Sequence, residues 1–247
     1  MQPSNICTGA AASNADLQNE KEMQCMMSDQ ILFVSDYVCP YCLVAKEALK
    51  RALHSLGRDA EITWHPFELT REPAPRVDTY HDETRRAHYQ VLTEPCRIMG
   101  LDMKLPPHIV PRPYTRMAFE GYYFAAEHGC ANAYNDLVYR AYFIEEEDIG
   151  DLEVLCRLAE KAGLDKELFR SALKERRYQK NLDEANRYAR EELHVSHVPT
   201  IYMNGQELTP EDYSPEAFLR ALEDASLSES AADDTPEDGC GPHGCSF

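Results

Sequence analysis

Positive charge is in short supply in this chain. Lysine and arginine together number 25 against 43 aspartates and glutamates, a net charge of −18. Seven acidic residues follow Arg220, and no Lys or Arg does. A surface of that sign repels phosphate backbones and anionic lipid alike, which argues against nucleic acid or membrane as a partner. Long hydrophobic runs are missing too, since nothing approaches the roughly 20 apolar residues that a spanning helix needs. Residues 1–27 lack both a basic start and an apolar segment, so they do not read as a secretory signal. The expectation is a loose leader over 1–28 and a cytoplasmic protein. Tryptophan occurs once, yet 43% of the residues are hydrophobic, enough for a sizeable core.

Cysteine, by contrast, is plentiful. Nine cysteines in a chain expected in a reducing compartment argue for catalytic, redox-sensing or metal-binding thiols rather than structural bridges. Cys39/Cys42 and Cys240/Cys245 are close pairs. Cys7, Cys25, Cys96, Cys130 and Cys156 are scattered and read as buried small hydrophobes or inert surface thiols.

The run QILFVSD, residues 30–36, suits a buried strand. From 39 to 56, Leu43, Ala45, Ala48, Leu49, Ala52, Leu53 and Leu56 recur at helical spacing, and Gly57 closes the helix. AEITWHPFEL, residues 60–69, alternates well enough for a second strand, which completes a right-handed βαβ unit. The pattern then turns helical over 76–99, 112–129, 131–146, 150–162 and 165–193, and the stripe Phe119, Tyr122, Tyr123, Ala126 reads as helix packing. Strand character returns at VPTIYM, residues 198–203, followed by Asn204-Gly205, the strongest short hairpin signal, and then QEL. Ser214 and Pro215 open a last helix over 214–225 as N-cap and first residue. Residues 226–247 are acidic and rich in Ser, Pro and Gly, as in a flexible tail. The predicted fold class is α/β: a thioredoxin-like domain from 29–72 and 194–225, interrupted by an all-helical insertion over 73–193.

Cys39 and Cys42 stand at the strand-to-helix junction. Unpaired N–H groups and the helix dipole favour negative charge there, a setting that lowers a thiol pKa from about 8.5 to somewhere near 3.5–7.5. Cys42, one turn along, is near enough to bond to Cys39 and is expected to be the more buried. Pro40 suits the first helical position. A CxxC pair is also half of many zinc sites, or two uninvolved thiols. A zinc site needs two more ligands, and the chain offers only Cys240, His243 and Cys245, about 200 residues away. Redox chemistry is therefore the favoured reading. Pro199 opens the later strand, a permitted place for proline, and His197 two residues earlier is either a solvated loop residue or a group that moves protons at the thiols.

SDYVCPYC after a strand, HPFELTREPAP, VPTIYMNG and LVYRAYFIEEEDIGDLEVLCRLAEKAGLD together resemble the DsbA-like thioredoxin superfamily, and within it the FrnE-like dithiol–disulfide oxidoreductases. The resemblance spans about 30–225. It implies an enzyme acting on protein thiols and disulfides, with Cys39 attacking, Cys42 resolving, and Val198 with a cis Pro199 facing the substrate beside Pro40, Tyr41 and His197. Disulfide exchange of this kind requires no organic cofactor, and no metal is expected. The Pro40-Tyr41 dipeptide is the one typical of glutaredoxins, so glutathione or a thioredoxin-type protein is the expected reductant or co-substrate. Some FrnE-like proteins look similar at GCGPHGCSF as well, which implies that Cys240 and Cys245 relay electrons to or from the active site; metal binding and a passive tail are the other readings. Two alternatives stand beside the oxidoreductase. The glutathione-dependent kappa-class transferases and 2-hydroxychromene-2-carboxylate isomerases share the architecture but usually carry serine at the position of Cys39. A non-enzymatic metal or thiol stress sensor would use the tail.

Overall fold

A computed structural model describes residues 28–233. Strand β1 (Asp29–Ser35) lies inside a four-stranded sheet of order β2-β1-β3-β4. It pairs in parallel with β2 (Ala60–Pro66), Phe33 opposite Trp64, and antiparallel with β3 (Thr200–Met203), Phe33 opposite Ile201. Ile31, Phe33 and Val34 are buried, and a strand covered on both faces has no polar side to show, hence the near-continuous apolar run. The edge strand β4 (Gln206–Glu207) joins β3 through Asn204 and Gly205, both at positive φ (49° and 86°), as a two-residue hairpin turn of this sequence requires.

Helix α1 (Pro40–Leu56) crosses from β1 to β2 and buries Cys42, Leu43, Val44, Ala45, Ala48, Leu49, Ala52 and Leu53 against the sheet and the last helix. Gly57 ends it in the left-handed region (φ 61°). That last helix, α9 (Pro215–Asp233), starts where Ser214 Oγ accepts the Ala217 N–H at 3.2 Å. It runs further than the sequence predicts: residues 226–233, expected to be flexible tail, are helical. Alanine, leucine and glutamate in this stretch are good helix formers, and they outweigh its three serines. Cys240 and Cys245 lie outside the described residues.

The insertion is helical as predicted, but in more pieces: α2 (Glu83–Gln90), α3 (Thr93–Met99), α4 (Arg116–Glu127), α5 (Ala131–Phe143), α6 (Leu152–Lys161), α7 (Lys166–Lys174) and α8 (Gln179–Glu191). The helix predicted over 76–99 begins only at 83, where Asp82 caps it by accepting the Arg85 N–H, and it breaks at Val91-Leu92. The helix predicted over 165–193 breaks at Arg176, which takes φ 54° while its guanidinium meets the buried Glu120 carboxylate at 2.7 Å. Helix α4 packs against α5, α6, α7 and α8, so its buried face is wider than one stripe. Phe119 and Tyr122 are buried as expected, but Phe124 and Ala125 are buried too, while Ala126 is exposed.

Aromatic side chains fill the seam between sheet and insertion. Tyr37 stacks on Phe119 at 4.6 Å and meets the edge of Tyr139 at 5.0 Å. The indole N–H of Trp64 donates to Asn132 Oδ1 at 2.8 Å. Among the described residues no helix is long and apolar enough to cross a membrane.

Candidate active site

Strand β1 ends at Ser35, and Asp36-Tyr37-Val38 turn the chain so that Cys39 becomes the N-cap of α1. Cys39 N–H donates to the Asp36 carbonyl at 3.0 Å, and Cys42 N–H donates to the Cys39 carbonyl at 3.1 Å. Pro40 occupies the start of the helix, where a missing N–H costs nothing. Both thiols are free; Cys39 keeps 4% of its surface exposed and Cys42 none. Burial pushes the Cys42 thiol well above its ordinary pKa, the neighbouring Cys39 adds to the rise, and a hydrogen bond from the Asp36 backbone opposes it. The order expected from the sequence, an outer Cys39 and an inner Cys42, is the order found.

The Val198–Pro199 peptide is cis and arrives from 159 positions away in sequence. The Cys39 thiol donates to the Val198 carbonyl at 3.5 Å. Cys39, Cys42, Val198 and Pro199 thus meet as one cluster. Tyr41 leans outward: its hydroxyl donates to the His88 carbonyl at 2.8 Å, and its ring packs 5.2 Å from that of Tyr213. His197 is exposed, with Nδ1 3.4 Å from Ser196 Oγ, and its carbonyl accepts the Thr200 hydroxyl at 2.8 Å. Beside it, a cleft of 280 Å³ runs between the β3 end and the segment leading into α9, walled by His197, Pro199, Glu207, Tyr213 and Phe218. Among the described residues no three His, Cys, Asp or Glu side chains gather as metal ligands.

A protein-family model, the DSBA-like thioredoxin domain, matches residues 30–223. The chain belongs to this family. Its CxxC and cis-proline cluster therefore sits on the scaffold of the DsbA-like oxidoreductases. An uncharacterized Bacillus subtilis (strain 168) protein, YwbO, is 38% identical over 199 residues, covering 80% of this chain and 98% of that protein. Among solved structures, the probable DsbA oxidoreductase SCO1869 from Streptomyces coelicolor aligns with a TM-score of 0.65 at 25% identity, covering 89% of this chain and 99% of that one. A 2-hydroxychromene-2-carboxylate isomerase aligns at 0.63 and 22% identity over 84% of this chain and all of that one. The cytosolic disulfide reductase DsbM from Pseudomonas aeruginosa with GSH aligns at 0.59 and 18% identity, over 80% of this chain and 99% of that one. At those identities the last two show the shared fold.

Residues that sequence reasoning passed over also border the DsbA-like cluster. Asp36 is fully buried, accepting the Leu69 N–H at 2.7 Å, and burial raises its pKa against the pull of Leu69, Arg112 and Thr115. Its signal was in plain view, an acid at the end of an apolar strand three residues before Cys39. Tyr213 has its hydroxyl pushed up to about 12 by burial and then by the charges of Cys39, Cys42 and Tyr41. No local pattern marks Tyr213, because it reaches the thiols from the far side of the chain.

Proposed function

We propose that this chain is a protein thiol–disulfide oxidoreductase, of the FrnE-like kind, working through the Cys39/Cys42 pair. The observation that supports it most is the meeting of Cys39 Sγ with the Val198 carbonyl, 3.5 Å away, while Cys42 waits fully buried one turn along the same helix. In the reducing direction, the Cys39 thiolate attacks one sulfur of a substrate disulfide. The substrate S–S bond breaks, a Cys39–substrate disulfide forms, and the leaving sulfur takes a proton from solvent. Cys42 then loses its proton and attacks Cys39, releasing the second substrate thiol and leaving the Cys39–Cys42 disulfide. Run backwards, the same steps oxidise a dithiol. The high Cys42 pKa fits the resolving role, since a thiol that stays protonated does not compete for substrate.

Pro40, Tyr41, Val198, Pro199 and His197 form the rim that a substrate chain would meet. Glutathione or a thioredoxin-type protein is the reductant we assign, in keeping with the glutaredoxin-like Pro40-Tyr41 dipeptide and with the DsbM fold neighbour solved with GSH. The site chemistry needs no organic cofactor, and the assigned compartment is the cytoplasm. Cys240 and Cys245 would serve as a relay.

The test is disulfide exchange on a model protein substrate. Cys39→Ser is expected to abolish it, and Cys42→Ser to accumulate a substrate adduct on Cys39 that the parent resolves. Glutathione conjugation of small molecules that continues undiminished in Cys42→Ser would instead favour the isomerase and kappa-transferase branch.

A further inference from the structure

The cleft beside the cis-proline loop takes no part in disulfide exchange itself, yet it adjoins the loop that meets the reacting sulfur. Pro199, on its wall, is bonded to the Val198 carbonyl that accepts the Cys39 thiol at 3.5 Å. A second wall residue, Tyr213, comes from the segment 208–214 between β4 and α9. Its ring packs 5.2 Å from that of Tyr41 in the CPYC motif. Two separate contacts thus set the cleft against the thiol pair. Its 280 Å³ falls below the roughly 300–1,000 Å³ of small-molecule sites, so it suits one long side chain better than a whole ligand.

The walls have two characters. Leu208 and Phe218 are buried, Pro199 and Tyr213 half-buried, and together they make an apolar floor. Glu207, Glu211 and Asp212 are exposed and make the rim acidic, and no Lys or Arg lines the cleft. Arg220 of α9, which is not on the wall, meets Glu211 at 3.1 Å. Neither Glu207 nor Asp212 forms a salt bridge among the described residues. Asp212 Oδ1 accepts the Ser214 N–H at 2.7 Å, and the bonds from Ser214 hold its carboxyl below the usual carboxylate range, so it is charged at neutral pH. An apolar floor with an acidic rim complements a lysine or arginine side chain, whose methylene stem lies along apolar surface while its charged head stays at the wet edge.

The chain's own end does not supply that side chain, since no Lys or Arg follows Arg220. We propose that the cleft is a specificity pocket for a lysine or arginine close in sequence to the reacting cysteine of a protein substrate. An extended chain advances about 3.3 Å per residue, so a position within about three residues of that cysteine spans the step from Val198 to the cleft. This assignment rests on the oxidoreductase reading and adds to it the class of protein substrate: segments whose reactive cysteine has a basic neighbour. In the step concerned, the Cys39 thiolate attacks the substrate sulfur. The substrate S–S bond breaks, a Cys39–substrate disulfide forms, and the thiolate that leaves takes a proton from water. The basic side chain rests in the cleft throughout and does not react.

The full chain carrying Cys42→Ser keeps the adduct on Cys39. It is offered three peptides of one otherwise neutral sequence, each with its cysteine as the 2-pyridyl disulfide and with arginine, citrulline or glutamate beside it. Release of pyridine-2-thione gives the rate, and peptide mass places the adduct on Cys39. At about 0.15 M ionic strength, long-range fields are largely screened. The arginine peptide is expected to react roughly tenfold faster than its neutral isostere, the size of one charge-assisted hydrogen bond, and the glutamate peptide slowest. Glu207→Gln combined with Asp212→Asn, which keeps an oxygen for the Ser214 N–H, is expected to bring the arginine-to-citrulline ratio toward one. Glu160→Gln combined with Glu167→Gln removes as much charge from the exposed surface of the insertion and is expected to leave the ratio unchanged. Adduct formation with a parent ratio near one overturns the pocket and leaves the exchange reading standing. A ratio that survives the change at Glu207 and Asp212, or that falls as far with Glu160 and Glu167 changed, overturns the pocket as well. If no peptide forms an adduct at Cys39, the exchange reading itself falls and the pocket with it.

Discussion

Asp36 shows how a single residue links the site to stability. Its carboxyl is buried beside the thiol pair and acts on Cys42 through both its backbone and its charge. Burial raises its pKa above the ordinary carboxylate value, so the folded protein holds the proton to higher pH than the unfolded chain does. Between those two pKa values the folded state binds more protons, and stability therefore falls as pH rises through the folded pKa. Below the unfolded value, about 3.9, the penalty is absent. Asp36→Asn keeps an oxygen for the Leu69 N–H and removes the charge. It is expected to melt higher than the parent near neutral pH, with the gap closing toward about pH 4. Thermal unfolding of the two proteins over that range checks this, and parallel curves would show that Asp36 titrates alike in both states.

Among the elements, α4 carries the insertion. It packs on four other helices, and at Gly121 the neighbours leave no room for a side chain. A Cβ there would sit 2.3 Å from Tyr134 Oη and 2.7 Å from Phe169 Cζ. Tyr134 and Phe169 are both fully buried, with ring centroids 5.6 Å apart, and neither has room to withdraw. Gly121→Ala is therefore expected to destabilise by about 1–3 kcal/mol through overpacking, even though alanine is the better helix former. Chemical denaturation measures this directly, and a stabilised variant would mean that the α4–α5 contact is looser than described. The same helix supplies Glu120, whose carboxylate meets the Arg176 guanidinium at 2.7 Å at the point where the predicted 165–193 helix is divided.

For the molecule as a whole, the question is how the insertion is held over the thiols. Buried Glu68, just past β2, accepts from Arg116 of α4 at 3.0 Å and from Asn186 of α8 at 3.0 Å, while Asn186 Oδ1 accepts the Glu68 N–H at 2.9 Å. Arg190 of α8 closes the set by donating to the Glu68 carbonyl at 2.8 Å. Sheet and insertion are thus joined by charge-assisted bonds as well as by the aromatic seam. The chain end poses the other question at this scale. Because α9 continues to Asp233, the stretch between the fold and Cys240 is six residues rather than the longer tether expected from composition. Ending the chain after Asp233 is expected to slow turnover with a protein substrate while leaving the first reaction of Cys39 intact. Steady-state and single-turnover rates separate the two, and equal turnover would dispose of the relay.

Much of this protein was legible locally. Apolar runs with a glycine stop, an Asn-Gly turn, a Ser-Pro helix start and a CxxC at a strand-to-helix junction each act within a few residues, so the chain alone announces β1, α1, the hairpin, α9 and the thiol pair. Helix ends inside the insertion were less legible: the break at Arg176, at φ 54°, coincides with a pairing to Glu120 that local spacing does not announce. Nor did any pattern mark Tyr213 or Tyr89 as lying within reach of the charge on Cys39. Periodicity reports which face of an element is buried, whereas proximity between residues more than a hundred positions apart exists only once the sheet has brought β3 beside β1. That pairing sets Val198 against Cys39 and makes two separate stretches of sequence into one site.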